Sequence, residues 1–420
     1  MFGVMLALWA SPAFGQTCTD PAVGAAGVVA YVARIEPDRV LFAWGRTDGA
    51  QTIGYGAPAR GKAEVWIDGA LRATEASRSW AWIDDLQVDR EHRYAICLDG
   101  RLVRQATVRT YPATATRLTF FVIGDYGTGG PPQAAVGRAM ARAFRERQAG
   151  PSPVRFVLTT GDNLYRSGFA ARLRISNSGA SDRDWQDKFF GPYGDVLASI
   201  PFLPSVGNHD RGETEREEDL AQYYDNFLFA PDQRVPYYTF TYGGLAQFFA
   251  LNTASRSTSQ VDKDLDFGPN SRQRAWLGEQ LVASRARWTI PFFHHPPFTA
   301  GPDHTDADSR GRARHLMPLF AGSARVAFSG HEHNFQFSEA SALTGGVRYV
   351  VSGAGGNFDP VPGIDALTRA GIEGWANGHH FLQVDIEDDT MTIMVIGVDG
   401  PVSPRDRAGR ERPVPAIRVR

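Results

Sequence analysis

The sequence predicts two consecutive units, a small β-sandwich followed by a larger α/β sandwich. The length of 420 residues favours two domains over one compact core. From about Gly27 to Tyr111, short β-rich runs follow one another without a helical period. After Leu118, apolar strands alternate with helical stretches, which is typical of an α/β protein.

The composition argues against several classes of protein. The chain carries 44 Lys+Arg and 46 Asp+Glu, for a net charge of −2, and 43% of its residues are hydrophobic. This apolar fraction argues against intrinsic disorder, and the small net charge offers no basic field to attract a nucleic acid. We therefore expect no nucleic-acid-binding patch. Beyond the N-terminus no apolar run approaches the roughly 18 residues of a membrane helix, so we expect no membrane span after signal removal.

The N-terminus and the two cysteines predict export. Residues 1–15 form an apolar stretch that ends in small residues suited to signal-peptidase cleavage. No basic residue precedes this stretch, so a misassigned start codon or a buried strand is the alternative. Cys18 and Cys97 are the only cysteines, and an even count suits a disulfide in an exported chain. We expect a secreted or periplasmic protein with a signal peptide at 1–15.

Residues 16–112 form the predicted β-sandwich, of the fibronectin-III or immunoglobulin-like type. Its clearest strands are Arg39–Trp44, Ala63–Ile67, Trp80–Ile83 and Tyr94–Leu98. Leu86 lies eight residues before Tyr94, as in a tyrosine corner, although two unconnected core residues would give the same spacing. The stretch from Thr110 to Arg117, which contains Pro112, reads as a linker.

Residues 113–420 form the predicted α/β unit, with helices at Gln133–Gln148 and Ser271–Arg287. Five of its apolar strands each run directly into a polar motif. These motifs are Gly124-Asp-Tyr-Gly127, Gly161-Asp-Asn-Leu-Tyr165, Gly207-Asn-His-Asp210, His294-His-Pro296 and Gly330-His-Glu-His333. Since α/β sheets bind ligands at the carboxyl ends of their strands, the five motifs predict one converged site. Four of them begin with glycine, which suggests sharp backbone turns.

The residue types in these motifs indicate a metal site. Asp, Tyr, Asn and His supply oxygen and nitrogen donors without a thiolate, which favours iron, manganese, zinc or magnesium. Six to eight donors are too many for one catalytic ion. Two ions about 3.5–4 Å apart, bridged by a carboxylate, would activate a water and hold an oxyanionic substrate. One such motif alone is usually a turn or a satisfied core histidine. Five such motifs in register are strong evidence for a metal site.

The ordered set of motifs resembles the calcineurin-like metallophosphoesterases, and within them the purple acid phosphatases. The resemblance covers most of residues 118–398 and implies two mixed β-sheets flanked by helices. The preceding unit is similar to the fibronectin-like module of the larger members. Most of the superfamily has a histidine where this chain has Gly127. Tyr165 stands three residues after Asp162, where purple acid phosphatases place a tyrosinate, and a phenolate suits Fe(III).

The resemblance implies two sets of metal ligands. A ferric ion would be held by Asp125, Asp162, Tyr165 and His333. A divalent ion, Zn, Fe or Mn, would be held by Asp162, Asn208, His294 and His331. Asp162 would therefore bridge the two ions. The alternatives are that Asn208 is a turn residue and that Tyr165 is a core aromatic.

The resemblance also implies a mechanism, the attack of a metal-bound hydroxide on a small phosphate ester. His209 would contact the substrate, and Asp210 would orient the ring of His209. His304 stands near the place of a second active-site histidine, with a simply exposed side chain as the alternative. His295 follows a predicted ligand and is expected to be structural.

Three functions follow from this interpretation. The leading one is an exported phosphomonoesterase of the purple acid phosphatase type with a binuclear metal site. The second is a phosphodiesterase or nucleotide hydrolase with the same site, because two-metal phosphoesterases differ mainly in their surrounding loops. Here the rim loops would be Arg166–Trp185, Thr253–Asn270 and Thr299–Arg312. The third is a binding or adhesion protein with a silent phosphatase domain, which the complete donor set argues against.

Overall fold

The fold is described from a computed structural model. The described residues are 18, 28–46, 61–166, 179–180, 184–211, 220–231, 234–254, 270–301, 315, 317–361, 363–413, 415 and 417–420. The predicted signal peptide at 1–15, the predicted active-site residue His304 and most of the three predicted rim loops lie outside them.

The N-terminal unit consists of two antiparallel sheets. The first contains β1 (Val28–Ile35), β2 (Val40–Arg46) and β5 (Trp80–Ile83), in the order β1-β2-β5. The second contains β3 (Ala63–Ile67), β4 (Ala70–Glu75), β6 (Glu91–Leu98) and β7 (Arg101–Arg109), in the order β4-β3-β6-β7. Burial alternates along β3, as expected for a sheet with one face on a core. A disulfide joins Cys18 to Cys97 in β6, which confirms the expected pairing.

The second unit is an α/β sandwich built on two mixed sheets, as predicted. The first sheet contains β8 (Arg117–Ile123), β9 (Val154–Thr159), β10 (Phe202–Pro204), β18 (His380–Glu387), β19 (Thr390–Gly397), β20 (Gly400–Val402) and β22 (Ile417–Val419). The second contains β11 (Tyr238–Tyr242), β12 (Ala246–Ala250), β13 (Trp288–Phe292), β14 (Val326–Ser329), β15 (Phe335–Ser338), β16 (Arg348–Ser352), β17 (Ile372–Ala376) and β21 (Arg405–Asp406). Strands β8, β9 and β10 are parallel, and so are β12, β13, β14 and β16.

The longest described helices are α1 (Pro131–Gln148) and α4 (Arg272–Ala283). The others include a π-helix (Gln186–Phe190), α2 (Gly191–Leu197), α3 (Ala221–Asn226) and α5 (Ile364–Arg369). Helix α1 confirms the first helical prediction. The second prediction ran to Arg287, which is wrong, because the backbone of Ser284 turns to an extended ψ of 137° before β13 begins. Within the described residues, no helix combines the length and apolar character needed to cross a membrane.

Aromatic side chains fill the space between the two mixed sheets. Phe120 of β8 stacks on Phe156 of β9, with ring centroids 5.3 Å apart. The ring of Phe120 also meets the edges of Phe248 and Phe328 from the second sheet, at 5.3 and 6.1 Å. All four are fully buried. This packing fixes one sheet against the other and so aligns the carboxyl ends of their parallel strands.

The N-terminal unit packs directly against the α/β unit. The Tyr94 hydroxyl donates a hydrogen bond of 2.6 Å to the buried carbonyl of Ala198. Arg155 donates to the carbonyl of Thr110 at 2.6 Å, and the Tyr111 ring lies 5.1 Å from that of Tyr242. The segment that was predicted to be a linker, from Thr110 to Arg117, therefore starts at a well-packed contact between the two units. Tyr94 ties the two units together, which the tyrosine-corner spacing did not predict.

We expect acid to weaken the fold through His380. Burial lowers the pKa of His380 to about 4, and its ring lies between the Gly378 carbonyl and the Ser352 hydroxyl. The unfolded chain binds the proton near pH 6.5, so stability is complete above that pH and is lost as the pH falls toward 4. By pH 4.5 this group should remove about 2–3 kcal/mol of unfolding free energy.

Urea unfolding at pH 7 and pH 4.5 measures this effect. His380→Gln keeps a donor and an acceptor but does not titrate, so the variant should lose less stability between the two pH values than the wild type. An identical loss in both proteins would contradict the assignment.

Candidate metal centre

Three of the predicted ligands adopt a left-handed backbone. The φ angles are 56° at Asp125, 49° at Asp162 and 72° at His331. The other described non-glycine residues with positive φ are all aspartates in or beside turns. This conformation costs free energy and persists only where surrounding structure enforces it, so its occurrence at three predicted ligands marks a functional site.

Close approach of neighbouring atoms, rather than a left-handed turn, requires glycine at three of the four motifs, which corrects the prediction there. Among the four, only Gly161 has a positive φ. A Cβ on Gly124 would lie 2.2 Å from the Thr160 hydroxyl oxygen, and one on Gly207 would lie 2.1 Å from Oδ1 of Asp162. A Cβ on Gly330 would lie 2.5 Å from Oδ2 of Asp125. These three glycines therefore leave room for the Asp125 and Asp162 carboxylates and for the Thr160 hydroxyl.

Four donor atoms meet in a first cluster, formed by Asp125, Asp162, Tyr165 and His333. The hydroxyl of Tyr165 lies 3.1 Å from an oxygen of each aspartate. It lies 3.2 Å from Nε2 of His333. These are the residues predicted for the ferric ion, and the fold brings all four together.

A second cluster shares Asp162 with the first. Nε2 of His294 lies 3.3 Å from Oδ1 of Asp162 and 2.9 Å from Oδ1 of Asn208. It also lies 3.1 Å from Nδ1 of His331. The carboxylate of Asp162 thus faces one cluster with Oδ2 and the other with Oδ1. This is the arrangement expected of a bridging ligand.

Outer hydrogen bonds fix which ring nitrogens can accept a metal. Nδ1 of His294 lies 2.8 Å from the Thr160 carbonyl, which only accepts, so this nitrogen carries the proton. Nδ1 of His333 lies 2.6 Å from the carboxylate of Asp359 and also carries a proton. In both rings Nε2 is therefore the nitrogen that faces the cluster, and it can bind a metal once it carries no proton.

The clusters concentrate negative charge where water is excluded. Asp125 and Asp162 are almost completely buried. Burial raises the pKa of Asp125 well above its usual range, and the charge of Asp162 adds to the effect. Burial would also raise the pKa of Asp162, but the imidazoles of His294 and His209 hold it below its usual range.

His294 responds to the same charge. Burial alone would lower its pKa, but Asp162 raises it to about 9. Burial, together with the charges of Asp125 and Asp162, raises the pKa of Tyr165 well above its ordinary value. The protein without ions thus meets its buried negative charge with a proton on His294 and a hydroxyl from Tyr165. Metal cations would take over this role.

The donor set therefore fits a pair of metal ions. Buried carboxylates, an orientated phenol, an amide oxygen and imidazoles with fixed tautomers surround two adjacent points. Within the described residues, Asp125, Asp162 and His294 offer ligand atoms within 4.8 Å of one another, as do His294, His295 and His331. The assignment of individual ligands to individual ions stays a prediction.

The predicted catalytic residues have different surroundings. The His209 ring lies 4.5 Å from that of Tyr165, is partly exposed, and places Nε2 3.8 Å from Oδ2 of Asp162. Asp210 was predicted to orient this ring, and that role stays a prediction. Its described hydrogen bonds go to other groups, the backbone N–H groups of Asn163, Leu164 and Gly207 and the amide of Asn163. Asp210 thereby holds two ligand-bearing loops together.

His295 is buried behind the second cluster. Its backbone N–H donates to the Thr253 hydroxyl at 3.0 Å, and its Nδ1 lies 3.0 Å from the same oxygen. Its ring packs 4.3 Å from that of His331. Because His295 also offers a ring nitrogen to the candidate ligand group with His294 and His331, its structural role stays a prediction.

A sixth strand end lies at this site and was not predicted from the sequence. After β16 the segment 353–359 passes beside the first cluster, and the backbone N–H of Gly356 bonds to the carbonyl of Asp125 at 3.0 Å. The Asn357 side chain bonds to the phenol of Tyr165, and Asp359 holds His333. A buried apolar strand running into Ser-Gly-Ala-Gly-Gly-Asn-Phe-Asp was the available signal.

Comparisons with known proteins agree with this geometry. The calcineurin-like phosphoesterase family profile matches residues 118–335, more than half of the chain. The chain belongs to this family. The tartrate-resistant acid phosphatase type 5 of Mus musculus is 28% identical over 309 residues, which cover 69% of this chain and 89% of that protein. Within the family, the chain is a purple acid phosphatase-like metallophosphoesterase.

Two solved structures share the fold of this phosphoesterase. The structure of PhoD has a TM-score of 0.63 at 15% identity and covers 92% of this chain and 91% of its own. Purple acid phosphatase PPD1 from yellow lupin (Lupinus luteus) seeds also has a TM-score of 0.63, at 13% identity, with 92% and 73% coverage. Both alignments extend beyond the residues that the family profile matches.

Asp210→Asn should destabilise the protein without ions. Both oxygens of Asp210 accept hydrogen bonds from N–H groups. An amide keeps one acceptor oxygen and turns an NH₂ group toward N–H donors, which costs free energy. Burial and the charge of Asp162 raise the pKa of Asp210 to about 7, so the uncharged amide relieves part of this cost, and we expect a net loss of about 1–2 kcal/mol at pH 8.

Urea unfolding of the metal-free protein at pH 8 measures this cost. The control is Asp195→Asn, since this exposed aspartate makes only a 3.4 Å ion pair with Arg145 and should change stability by less than about 0.5 kcal/mol. Equal effects of the two substitutions would refute the bracing role of Asp210.

Proposed function

We propose that this protein is an exported, metal-dependent phosphatase that hydrolyses small phosphate monoesters. The single observation that carries the proposal is the carboxylate of Asp162, one oxygen of which faces each donor cluster. Such sharing suits two adjacent cations. Two adjacent cations suit a phosphoryl group, whose several oxygens carry negative charge.

The two clusters favour different ions. The phenol of Tyr165 and the two carboxylates make the first cluster rich in hard anionic donors, which suits Fe(III). His294, His331 and the Asn208 amide make the second suited to a divalent ion, Zn, Fe or Mn. When bound, the ions would supply charge neutralisation at the phosphoryl oxygens and a water of lowered pKa.

The side chains of the chain orient this chemistry. The Thr160 carbonyl and Asp359 hold Nδ1 of His294 and His333, so both rings present Nε2 to the clusters. Asp210 and the left-handed backbone of Asp125 and Asp162 hold the loops in one geometry. A preformed arrangement of this kind lowers the barrier because little reorganisation is needed when the substrate binds.

His209 is proposed to contact the substrate. Its ring is partly exposed while its backbone N–H is fixed to Oδ1 of Asp162 at 2.8 Å. It can therefore donate a hydrogen bond to a phosphoryl oxygen on the open side of the site. His304 is proposed as the proton donor to the leaving alkoxide.

Export and the type of the N-terminal module are part of the proposal. The Cys18–Cys97 disulfide is the kind of cross-link that oxidising compartments favour, which supports a secreted or periplasmic location. The strand orders β1-β2-β5 and β4-β3-β6-β7 support a fibronectin-III type module. Packed at Tyr94 and Arg155, it would brace the α/β unit.

The experiment compares hydrolysis of 4-nitrophenyl phosphate with that of bis(4-nitrophenyl) phosphate by protein loaded with iron and zinc or manganese. We expect kcat/KM for the monoester to exceed that for the diester by about tenfold or more, because a diester has one fewer anionic oxygen to bind two cations. Asp162→Ala, which removes the shared ligand, should abolish both reactions.

The other outcomes separate the alternatives. A preference for the diester would move the function to a phosphodiesterase with the same site. No release of 4-nitrophenol from either ester by fully loaded protein would favour the binding or adhesion protein.

Tyr165→Phe tests the ferric cluster. Loaded wild-type protein should show a visible phenolate-to-iron charge-transfer band, and the variant should lose it because the phenolate is gone. Visible absorption spectra at equal iron content measure the change. A colourless, fully active wild type with two divalent ions would contradict the ferric assignment.

A further inference from the structure

Lys188 is a buried lysine beneath the first cluster. Only three of the 44 basic residues of the chain are lysines, and the side chain of Lys188 is completely buried. It lies in the π-helix Gln186–Phe190, a rare conformation that is frequent at functional sites. Lys188 does not belong to the ligand set.

The Nζ atom of Lys188 reaches the loop that carries a predicted ligand. It donates a hydrogen bond of 2.8 Å to the backbone carbonyl of Tyr165. The backbone N–H of Tyr165 in turn donates to the carbonyl of Gly127 at 2.9 Å. The main chain of Tyr165 is therefore held on both sides, once by Lys188 and once by the loop that follows Asp125.

Gln133 of α1 closes the arrangement into a ring. Its side-chain oxygen accepts from the backbone N–H of Gly129 at 2.7 Å, and its side-chain amide donates to the carbonyl of Lys188. Gln133 is almost completely buried. Four hydrogen bonds thus connect Tyr165, the loop Gly127–Gly129, Gln133 and Lys188. We name this set the Gln133–Lys188 clamp.

The clamp has a rigid foundation. Phe189, next to Lys188, packs its ring 4.8 Å from Phe227 and 5.4 Å from Phe202. All three rings are buried. This packing anchors the π-helix from which Lys188 extends, and the bond to the Tyr165 carbonyl fixes the other end of its side chain. The flexibility that is usual for a surface lysine is absent here.

We propose that Lys188 and Gln133 are positioning residues that hold Tyr165 at the metal centre. Tyr165 follows Asp162 by only three residues, and only its main chain and its hydroxyl are anchored by described hydrogen bonds. Fixing the carbonyl of Tyr165 fixes the place of its phenol between the two aspartates. The inference rests on the proposed ferric site for its spectroscopic test, but the clamp itself is a property of the protein without ions.

The test uses Lys188→Met, which keeps the chain length and removes the donor. Gln133→Glu serves as a second variant, since it keeps the acceptor for Gly129 and removes the donor to the carbonyl of Lys188. Lys62→Met is the matched control, because the side chain of Lys62 is 58% exposed and its described ion pair is with Glu64 in the N-terminal unit.

Two readouts are measured on the full chain. In iron-loaded protein, both clamp variants should shift or weaken the charge-transfer band and lose iron to a chelator about tenfold faster, while Lys62→Met matches the wild type. In metal-free protein, amide hydrogen exchange at residues 163–166 should accelerate in both clamp variants, with exchange in β3 unchanged.

The outcomes separate the clamp from the ferric assignment. An unchanged band and unchanged exchange in both clamp variants would overturn the clamp. A wild type without a band would contradict the ferric site alone, and the exchange measurement would then decide the clamp. If exchange accelerated throughout the chain in both variants, Lys188 and Gln133 would contribute only to overall stability. That result would overturn the positioning role.

Discussion

The structure depends on the burial of two neighbouring carboxylates, Asp125 and Asp162, at the edge of the two sheets. Buried negative charges repel one another and lose their hydration, so they persist only with compensating partners. The protein without ions supplies these through His294, the phenol of Tyr165 and backbone N–H groups. A buried donor set of this kind favours metal cations, which is why it is the candidate metal centre.

The rest of the fold can be understood as the support of this arrangement. The aromatic core between the sheets aligns the strand ends, and strained left-handed residues then direct the ligands inward. Asp210, Asp359 and the Thr160 carbonyl restrict the positions that the loops and rings can take. The N-terminal unit adds support through two hydrogen bonds, from Tyr94 to the Ala198 carbonyl and from Arg155 of the α/β unit to the Thr110 carbonyl. One continuous hydrophobic cluster contains residues of both units.

Much of the fold and of the candidate site could be predicted from the sequence, because the residue patterns that define them lie within short segments. The strand Ala63–Ile67 was predicted with its observed bounds, since alternation and turn residues define it. The predicted helix beyond Ala283 was wrong, because nothing in the local composition marks the extended backbone at Ser284. Asn357 and Asp359 were missed, because a Gly-rich loop without a histidine has no distinctive spacing. Likewise, the contact of Tyr94 with Ala198 joins residues 104 positions apart.

The sequence by itself determined which donor types follow which strands, and with them the chemistry of the site. This was possible because the carboxyl ends of parallel strands lie at one edge of a sheet. Motifs that directly follow such strands are therefore expected to lie close together. Only the tertiary structure decided that the glycines serve close approach, that Asp162 faces both clusters, and that Lys188 lies beneath Tyr165. These features depend on distances between loops from different strands, and such distances are set by packing rather than by any local pattern.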